Sequence, residues 1–159
     1  MIRGVAVKHL KCIPDDRGFL MEMLRCDDGI YAGFGQVYLT GCKMGVVKGW
    51  HYHKMQTDHF VCVQGRALVV LYDTRRDSET YGTVEEYVME APPHSERPPF
   101  LLKIPPYVLH GFTALEGDEA RIINIPTLPY NYKEPDEFRM SWDDKEIPYS
   151  WPPYVKRGG

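Results

Sequence analysis

The sequence predicts an all-β protein, an antiparallel sandwich or barrel built from short strands. Thirteen prolines and fourteen glycines interrupt the 159-residue chain often enough to disfavour long helices. No window shows a sustained apolar repeat of 3.6 residues, which is the pattern of an amphipathic helix. Short β-favouring runs separated by turn residues recur instead, as in sandwiches and barrels. We expect a single domain over residues 1–159, because this length suits one core.

The N-terminal part of the chain is predicted to form three short strands. Residues 4–10 alternate loosely between apolar and polar side chains and are expected to be the opening strand. A turn over residues 14–18, rich in Asp and Gly, precedes a strand over residues 19–25. A second turn, at residues 26–29, separates that strand from another over residues 36–40.

The middle of the chain contains the most apolar runs. Residues 60–63 are β-favouring, and Gly65 is predicted to close that strand as a turn residue. Residues 66–72 are expected to form a buried strand. A polar hairpin loop over residues 73–78 then leads to a strand over residues 84–89.

The C-terminal part is predicted to finish the sheet and then to cover it. Residues 100–104 read as a strand, and residues 105–112 as a turn that presents His110 at the head of the next strand. Residues 121–125 are expected to be the last central strand. From about residue 127 the chain is rich in Pro, Tyr and Trp, and we expect this tail to pack over the sheets with little regular structure.

Composition excludes several classes of function. The net charge of −3 gives no support for nucleic-acid binding. No apolar run approaches the length of a membrane span, and the N-terminus lacks a signal-peptide core, so a cytoplasmic protein is expected. The cysteines are widely scattered and are predicted to be free thiols, with Cys62 a small buried hydrophobe; they are Cys12, Cys26, Cys42 and Cys62.

The strongest candidate site surrounds two histidines. His51 and His53 are two residues apart, so on a strand both imidazoles point to the same face of the sheet. Asp58 follows after a short loop, at the entry to the apolar strand. Buried polar groups need a compensating reason, which suggests function. A register shift of one residue would place His59 inside instead of Asp58, and the motif spacing described below favours Asp58, leaving His59 outside or at a bend.

These residues also suggest a metal site as an alternative. His51, His53, Asp58 and His110 supply three imidazoles and a carboxylate, which suits Fe, Mn, Ni or Zn. The remaining histidines, His9 and His94, have no partner at a useful spacing and are expected on the surface or in loops.

Two segments resemble the conserved motifs of cupins. The spacing from Gly45 through the two histidines and Asp58 to Gly65 is similar to the first cupin motif, with Asp in place of the usual Glu. Residues 105–110 resemble the second motif, with Tyr107 where Gly is usual. The resemblance implies a double-stranded β-helix, or jelly roll, in agreement with the all-β prediction.

A narrower resemblance covers most of the chain. Several segments, in the same order, are similar to the motifs of the dTDP-4-dehydrorhamnose 3,5-epimerase family. They are residues 16–19 with Glu22, residues 34–36, 48–52, 73–75 with Ser78, 81–82, 104–106 with 110–112, and 142–144 with Ile147 and Trp151. The resemblance implies an isomerase that removes a proton next to the ketone of a dTDP-4-keto-6-deoxyhexose and requires no cofactor. It also implies a homodimer with strand exchange, in which each pocket receives residues from both subunits.

The same resemblance implies roles for individual residues. His51 would be the base, with Asp58 and His110 in the pocket, and Lys48 would hold a diphosphate or the developing oxyanion. Nucleotide-sugar contacts are implied for Arg17, Glu22 and Gln36.

The chain also departs from the family pattern. Lys48 replaces the family's Arg, the conserved strand Lys falls at Asp58, and the catalytic Tyr falls at Asn124. Tyr130 or Tyr132 is therefore the expected substitute. The segment carrying the Asp that partners the catalytic His has no counterpart, because the chain ends soon after Trp151.

Other functions stay open at this point. Residues 48–54 also resemble a stretch of sugar 3,4-ketoisomerases. A metal-dependent cupin, either an oxygenase or another isomerase, and a non-catalytic sugar-binding cupin are the further alternatives.

Overall fold

The computed structural model describes residues 1–93 and 96–159, so His94 lies outside the described residues. The described residues form eleven strands and no helix. The strands are β1 Ala6–His9, β2 Cys12–Asp15, β3 Gly18–Met21, β4 Tyr38–Lys43, β5 Val46–Tyr52, β6 Asp58–Asp73, β7 Val84–Glu90, β8 Phe100–Ile104, β9 Val108–Asn124, β10 Phe138–Arg139 and β11 Arg157–Gly158. The all-β prediction is confirmed.

Two long, bent strands, β6 and β9, connect two sheets. The first half of β6 pairs with β8, which in turn pairs with β1, while the last part of β9 pairs with β4. The second half of β6 pairs with β7, and the first part of β9 pairs with β5. The short strands β10 and β11 extend β5 on its other side. Sheets that share bent strands in this way form the predicted jelly roll.

Three apolar clusters hold this arrangement together. The largest lies between the sheets and includes Phe60, Leu71 and Phe112. A second covers the outer face of the β5 sheet, where Trp50 packs on Trp151 of the C-terminal tail with ring centroids 4.9 Å apart. A third buries the outer face of β6 and β8 beneath the segment that follows β3. The tail after residue 127 contributes to the second cluster, and its regular structure is limited to the two-residue strands β10 and β11.

Several predicted boundaries are wrong, and the long strands explain most of them. β6 runs through Gly65 without a turn, because the register shifts there and Gly65 adopts a φ of +70° inside a bulge. A Cβ at this position would lie 2.5 Å from the Glu119 carbonyl oxygen, so glycine permits the close strand approach. Likewise, β9 is one strand rather than a turn followed by a separate strand. β2 occupies part of the segment predicted to be a turn.

The cysteine prediction is confirmed. All four cysteines are free, and burial raises the pKa of the Cys62 thiol to about 11. Across the described residues, no helix has the length and apolar character needed to cross a membrane.

Candidate functional site

A cavity of about 930 Å³ opens between the two sheets at the start of β4 and the end of β5. The strands β4 and β5 are joined by a short turn at residues 44–45 and then diverge, because β4 belongs to one sheet and β5 to the other. Segment 128–139 closes one side. The lining includes Gln36, Tyr38, Thr40, Lys48, His51, His53, Tyr130, Tyr132, Asp136, Glu137 and Arg139.

His51 is positioned in the cavity wall by the register of β5 and β9. It lies opposite His110 in the sheet, and the two rings meet edge to face with centroids 4.7 Å apart. Burial lowers the pKa of His51 well below its ordinary value, and the neighbouring imidazoles of His110 and His53 act in the same direction. His51 is therefore neutral at neutral pH and can accept a proton.

Behind His51, two imidazoles converge on one buried carboxylate. Asp58 is 1% exposed, and its Oδ2 lies 3.1 Å from His53 Nε2 and 3.3 Å from His110 Nε2. The other ring nitrogen of each histidine faces a backbone carbonyl: His53 Nδ1 that of Asp136, and His110 Nδ1 that of Val108 at 3.0 Å. These carbonyls accept hydrogen bonds from Nδ1–H groups, so together with the Asp58 carboxylate they orient both rings with Nε2 towards Asp58.

The other carboxylate oxygen of Asp58, Oδ1, is hydrogen-bonded to two side-chain amides. Oδ1 accepts hydrogen bonds from Gln56 Nε2 at 2.7 Å and from Asn124 Nδ2 at 2.9 Å. Burial raises the pKa of Asp58, but the facing imidazoles of His110 and His53 outweigh it and hold the pKa below its ordinary range. Burial lowers the pKa of His53, and Asp58 outweighs that effect and raises it. The cluster thus contains an ionised carboxylate beside at least one imidazole that is protonated more readily than usual.

The loop between β5 and β6 is held by a carboxylate from the tail. Asp136 accepts the backbone N–H groups of Lys54, Met55 and Gln56 at 2.8, 2.9 and 2.9 Å. This places the Gln56 side chain against Asp58. Three backbone donors on one carboxylate are an anchor comparable to a capped helix terminus.

The turn before His110 carries backbone strain. Tyr107 has a φ of 62°, in the left-handed region that glycine adopts more readily. Its N–H donates to the His53 carbonyl at 2.7 Å, and its carbonyl accepts a hydrogen bond from Thr74 Oγ1 at 2.8 Å. These contacts keep the strained turn in place and tie the segment before His110 to His53. The sequence marks this position as unusual, since a Gly is expected there in a cupin.

The four-residue metal set predicted from the sequence is reduced to three. His53, Asp58 and His110 offer ligand atoms that all lie within 4.8 Å of one another, and His51 is outside this group. Two imidazoles and a carboxylate suit a divalent transition metal, and the carbonyl partners of both Nδ1 atoms match the outer contacts usual for ligating histidines.

The structure brings Asp58, and not His59, to the imidazoles of His53 and His110. His59 points to the opposite face of β6, but it is fully buried there rather than outside or at a bend. The ring Nδ1 of His59 faces the Ile125 carbonyl at 2.8 Å, and its backbone N–H donates to Asn124 Oδ1 at 3.1 Å. The segment after β9 covers this face, and sequence spacing gave no sign of that cover.

With this geometry established, comparison with known proteins identifies the family. The model of the dTDP-4-dehydrorhamnose 3,5-epimerase family matches residues 1–157. The chain belongs to that family. Spore coat polysaccharide biosynthesis protein SpsL of Bacillus subtilis is 42% identical over 151 residues, which is 95% of this chain and 97% of SpsL. The probable low-salt glycan biosynthesis epimerase Agl13 of Haloferax volcanii is 39% identical and covers 94% of both chains.

A solved structure supports the same assignment. The dTDP sugar isomerase of Desulfovibrio desulfuricans superposes with a TM-score of 0.85 at 31% identity, covering 94% of this chain and 92% of that one. The jelly-roll fold and the family resemblance predicted from the sequence are therefore confirmed.

Within this epimerase-family fold, the residues predicted for the site fall into three groups. His51, Lys48, Gln36 and Tyr130 line the cavity. Asp58 and His110 lie behind the wall, in contact with His53 rather than with the cavity. The third group, Arg17 and Glu22, is not brought to the cavity of its own chain: Arg17 pairs with Asp15 at 2.7 Å, and Glu22 with Arg25 at 3.1 Å, both on the surface.

The structure adds site residues that the sequence did not single out for the site. Tyr38 and Arg139 enter the cavity, and Arg139 is the cross-strand neighbour of His51. Asn124 is notable in the sequence only because it stands where the family has its catalytic Tyr. Its amide nitrogen connects Tyr38 to Asp58 and lies 2.8 Å from the Tyr38 hydroxyl. These relations depend on strand register, which periodicity does not define.

Proposed function

We propose that the protein is an epimerase that acts on a dTDP-4-keto-6-deoxyhexose by removing a proton from a carbon next to the ketone. The observation that supports this most strongly is a neutral imidazole, His51, in the wall of a cavity large enough for a sugar nucleotide. The names of the relatives, a sugar-nucleotide isomerase and a glycan epimerase among them, point to the same class of substrate.

In this mechanism His51 accepts the carbon-bound proton and an enolate forms at the former ketone. The enolate oxygen needs a cation or a hydrogen-bond donor, and Lys48 supplies one. Lys48 Nζ donates to Thr40 Oγ1 at 2.9 Å, which holds the ammonium group between β4 and β5 at the cavity wall. Such proton transfer requires no organic cofactor.

The diphosphate of the substrate is assigned to the two cationic side chains of the cavity, Lys48 and Arg139. A guanidinium can bind a phosphate through two parallel hydrogen bonds, which an ammonium group cannot. Arg139 therefore compensates for the presence of Lys48 where the family has Arg. Its present partner, Glu137 at 2.6 Å, lines the same cavity.

The cluster behind the wall acts on His51 indirectly. His110 packs against the His51 ring, and Asp58 orients His110 and His53. We assign Asp58 and His110 as positioning residues, since neither lines the cavity.

The active assembly is proposed to be a homodimer. The β2–β3 hairpin pairs with no other strand among the described residues and exposes Phe19 and Leu20 beside Arg17. β4 is an edge strand whose surroundings expose Phe34 and Leu39. Contact between these two apolar regions in a two-fold dimer would bury both. It would also bring Arg17 and Glu22 of one subunit near the cavity of its partner.

Mixing two inactive variants tests the shared site. If Arg17 acts on the partner's cavity, dimers formed from His51→Asn and Arg17→Ala subunits contain one intact site, and the mixture recovers up to about a quarter of wild-type activity. The mixture should exceed either variant alone after co-refolding. Activity no higher than the average of the two variants would place Arg17 outside the site.

A divalent metal bound by His53, Asp58 and His110 is a second candidate, supported by the convergence of their ligand atoms. Such an ion would supply Lewis-acid stabilisation of negative charge. Metal analysis of untagged protein, repeated on His53→Ala, tests it: near-stoichiometric metal that is lost in the variant supports the site, and no metal in either sample rejects it.

The test of the epimerase proposal uses dTDP-4-keto-6-deoxyglucose in D₂O. Epimerisation through an enolate incorporates solvent deuterium next to the ketone, which ¹H NMR and mass spectrometry detect at C3 or C5. Migration of the ketone to C3 would instead indicate 3,4-ketoisomerase chemistry. No deuterium incorporation by the wild-type protein would reject catalysis on this substrate and leave a sugar-binding role. The cytoplasmic location and the single-domain organisation stay predictions.

A further inference from the structure

Two side chains enter the cavity from opposite sheets. His51 lies near the end of β5, in the sheet formed with the first part of β9. Tyr38 begins β4, in the sheet formed with the last part of β9. Both line the same cavity, which lies between these strands. A sugar ring bound between them would present one face to an imidazole and the other to a phenol.

The hydrogen bonds of Asn124 define where the Tyr38 proton is. Asn124 Oδ1 accepts a hydrogen bond from the backbone N–H of His59 at 3.1 Å. This contact fixes the orientation of the side-chain amide and directs its nitrogen towards Asp58 and Tyr38. That NH₂ group donates to Asp58 Oδ1 at 2.9 Å and to the Tyr38 hydroxyl at 2.8 Å. The Tyr38 oxygen is therefore an acceptor in this contact. Its own O–H proton is not used by Asn124 and remains available to a ligand.

Tyr38 differs in this respect from the other two phenols of the cavity. Tyr130 is 43% exposed and Tyr132 90% exposed, and their rings pack against each other with centroids 5.0 Å apart. Within residues 1–93 and 96–159, neither hydroxyl has a hydrogen-bond partner that would fix its position. Tyr38 is 42% exposed as a residue, but its hydroxyl is anchored by a fully buried amide. Burial, together with the charge of Asp58, raises the pKa of Tyr38 to about 12, so the phenol is protonated at neutral pH.

We propose that Tyr38 is the proton donor that completes the epimerisation, acting on the sugar face opposite His51. The assignment rests on the proposed function and replaces the predicted Tyr130. His51 removes the C–H proton, and the electron pair of that bond moves into the enolate. The Tyr38 O–H then protonates the same carbon from the other face as the ketone re-forms. The phenolate accepts the Asn124 N–H hydrogen bond until it regains a proton from water, and His51 loses its proton to water, so no net proton is consumed.

The experiment separates proton removal from inversion. Wild-type protein, Tyr38→Phe, Tyr130→Phe and Tyr81→Phe are incubated with dTDP-4-keto-6-deoxyglucose in D₂O, and both deuterium content and configuration are followed by NMR. Tyr81 is an exposed phenol outside the cavity and serves as the matched control. We expect Tyr38→Phe to incorporate deuterium into the unchanged sugar, because His51 still removes and returns a proton on its own face. Its rate of inversion should fall about 10²–10⁴-fold.

Each other outcome overturns the assignment. Wild-type inversion by Tyr38→Phe would show that another group delivers the proton, and loss of inversion in Tyr130→Phe alone would identify that group. Loss of both exchange and inversion in a Tyr38→Phe protein with a wild-type circular dichroism spectrum would assign Tyr38 to binding instead. These results differ from failure of the proposed function, in which the wild-type protein itself incorporates no deuterium.

Discussion

The strand β6 begins and ends at a buried carboxylate, and the two are satisfied in different ways. Asp73, at its end, is fully buried and receives three hydrogen bonds from Arg75, at 3.1, 2.7 and 2.8 Å. Ser78 and Thr80 donate hydroxyl hydrogen bonds to the same carboxylate, at 2.8 and 2.6 Å. Every donor comes from the loop that follows, so Asp73 closes its own loop.

Asp58, at the start of the strand, is equally buried but only partly satisfied. One of its oxygens accepts two amide hydrogen bonds. The other lies close to two imidazoles, yet neither contact is aligned as a hydrogen bond, and Asp58 Oδ2 and His110 Nε2 lack hydrogen-bond partners among the described residues. Its neighbours are His53 and Gln56, which border the cavity, and His110 and Asn124, which lie behind the cavity wall.

Hydrogen-bond satisfaction distinguishes a structural carboxylate from a functional one. A buried charge with a guanidinium and hydroxyls on both oxygens stabilises the fold and has nothing left to offer a ligand. A buried carboxylate that orients titratable side chains and has an oxygen without a hydrogen-bond partner is typical of a functional site. Substitutions at the two ends of β6 should therefore differ in whether activity or stability responds.

The largest effect is expected from His51→Asn, at the Asp58 end. Loss of a general base lowers kcat by about 10²–10⁴-fold, while the fold is retained because His51 only borders the cavity. Steady-state turnover of dTDP-4-keto-6-deoxyglucose measures it. His9→Asn, at an exposed histidine, is the control and should behave as wild type. Near-wild-type turnover by His51→Asn would remove the base from the mechanism.

Asp73→Asn should affect stability alone. It leaves the Arg75 guanidinium without its carboxylate, and breaking such a buried pair costs about 3 kcal/mol of unfolding free energy. Urea denaturation measures the loss, with the exposed neighbour Asp77→Asn as control. Turnover per folded molecule should be unchanged. A stability equal to that of Asp77→Asn would show that the network around Asp73 contributes little.

Asp58→Asn should reverse this pattern. Without the carboxylate, the orientation of His110 and His53 is lost, and misplacement of His51 lowers kcat by about 10²-fold. The unfolding free energy should fall by less than in Asp73→Asn, because the charge of Asp58 is less completely satisfied. A larger stability loss in Asp58→Asn than in Asp73→Asn would mean that the two ends of β6 are both structural.

The smallest effect concerns pH. Burial raises the pKa of Asp73, but Arg75 and the hydroxyls outweigh it and hold the pKa below its ordinary value. A depressed folded-state pKa stabilises the protein above the unfolded-state pKa, about 3.9, and that stability is lost as pH falls below it. Between pH 5 and pH 3 the unfolding free energy of the wild type should therefore decrease by about 1–2 kcal/mol more than that of Asp73→Asn. Equal pH dependence would contradict the assignment of Asp73.

Sequence alone predicted much of the fold and part of the site. Alternation along a strand places His51 and His53 on one face, because successive side chains point to opposite faces. It left Asp58 and His59 as alternatives, and only the spacing of the cupin motif favoured Asp58. The long strands were divided wrongly at Gly65, since a bulge glycine and a turn glycine are identical in sequence. Tyr38 and Asn124 could not be paired, because their proximity depends on the register of β4 on β9.

The substrate contacts implied for Arg17 and Glu22 are not made within one chain. Their motif is visible in the sequence, but the side chains form surface ion pairs and do not line the cavity of the same chain. In the proposed dimer a second subunit would bring them near a substrate, and no pattern within one chain specifies that contact.

The most direct test is a crystal structure of His51→Asn protein bound to dTDP-4-keto-6-deoxyglucose. We expect the sugar to lie between β4 and β5, with the carbon to be epimerised about 3–3.5 Å from the side chain at position 51. The Tyr38 hydroxyl should then face the opposite side of the same carbon. A sugar bound outside this cavity, or with position 51 and Tyr38 on the same face of the ring, would contradict the proposed mechanism.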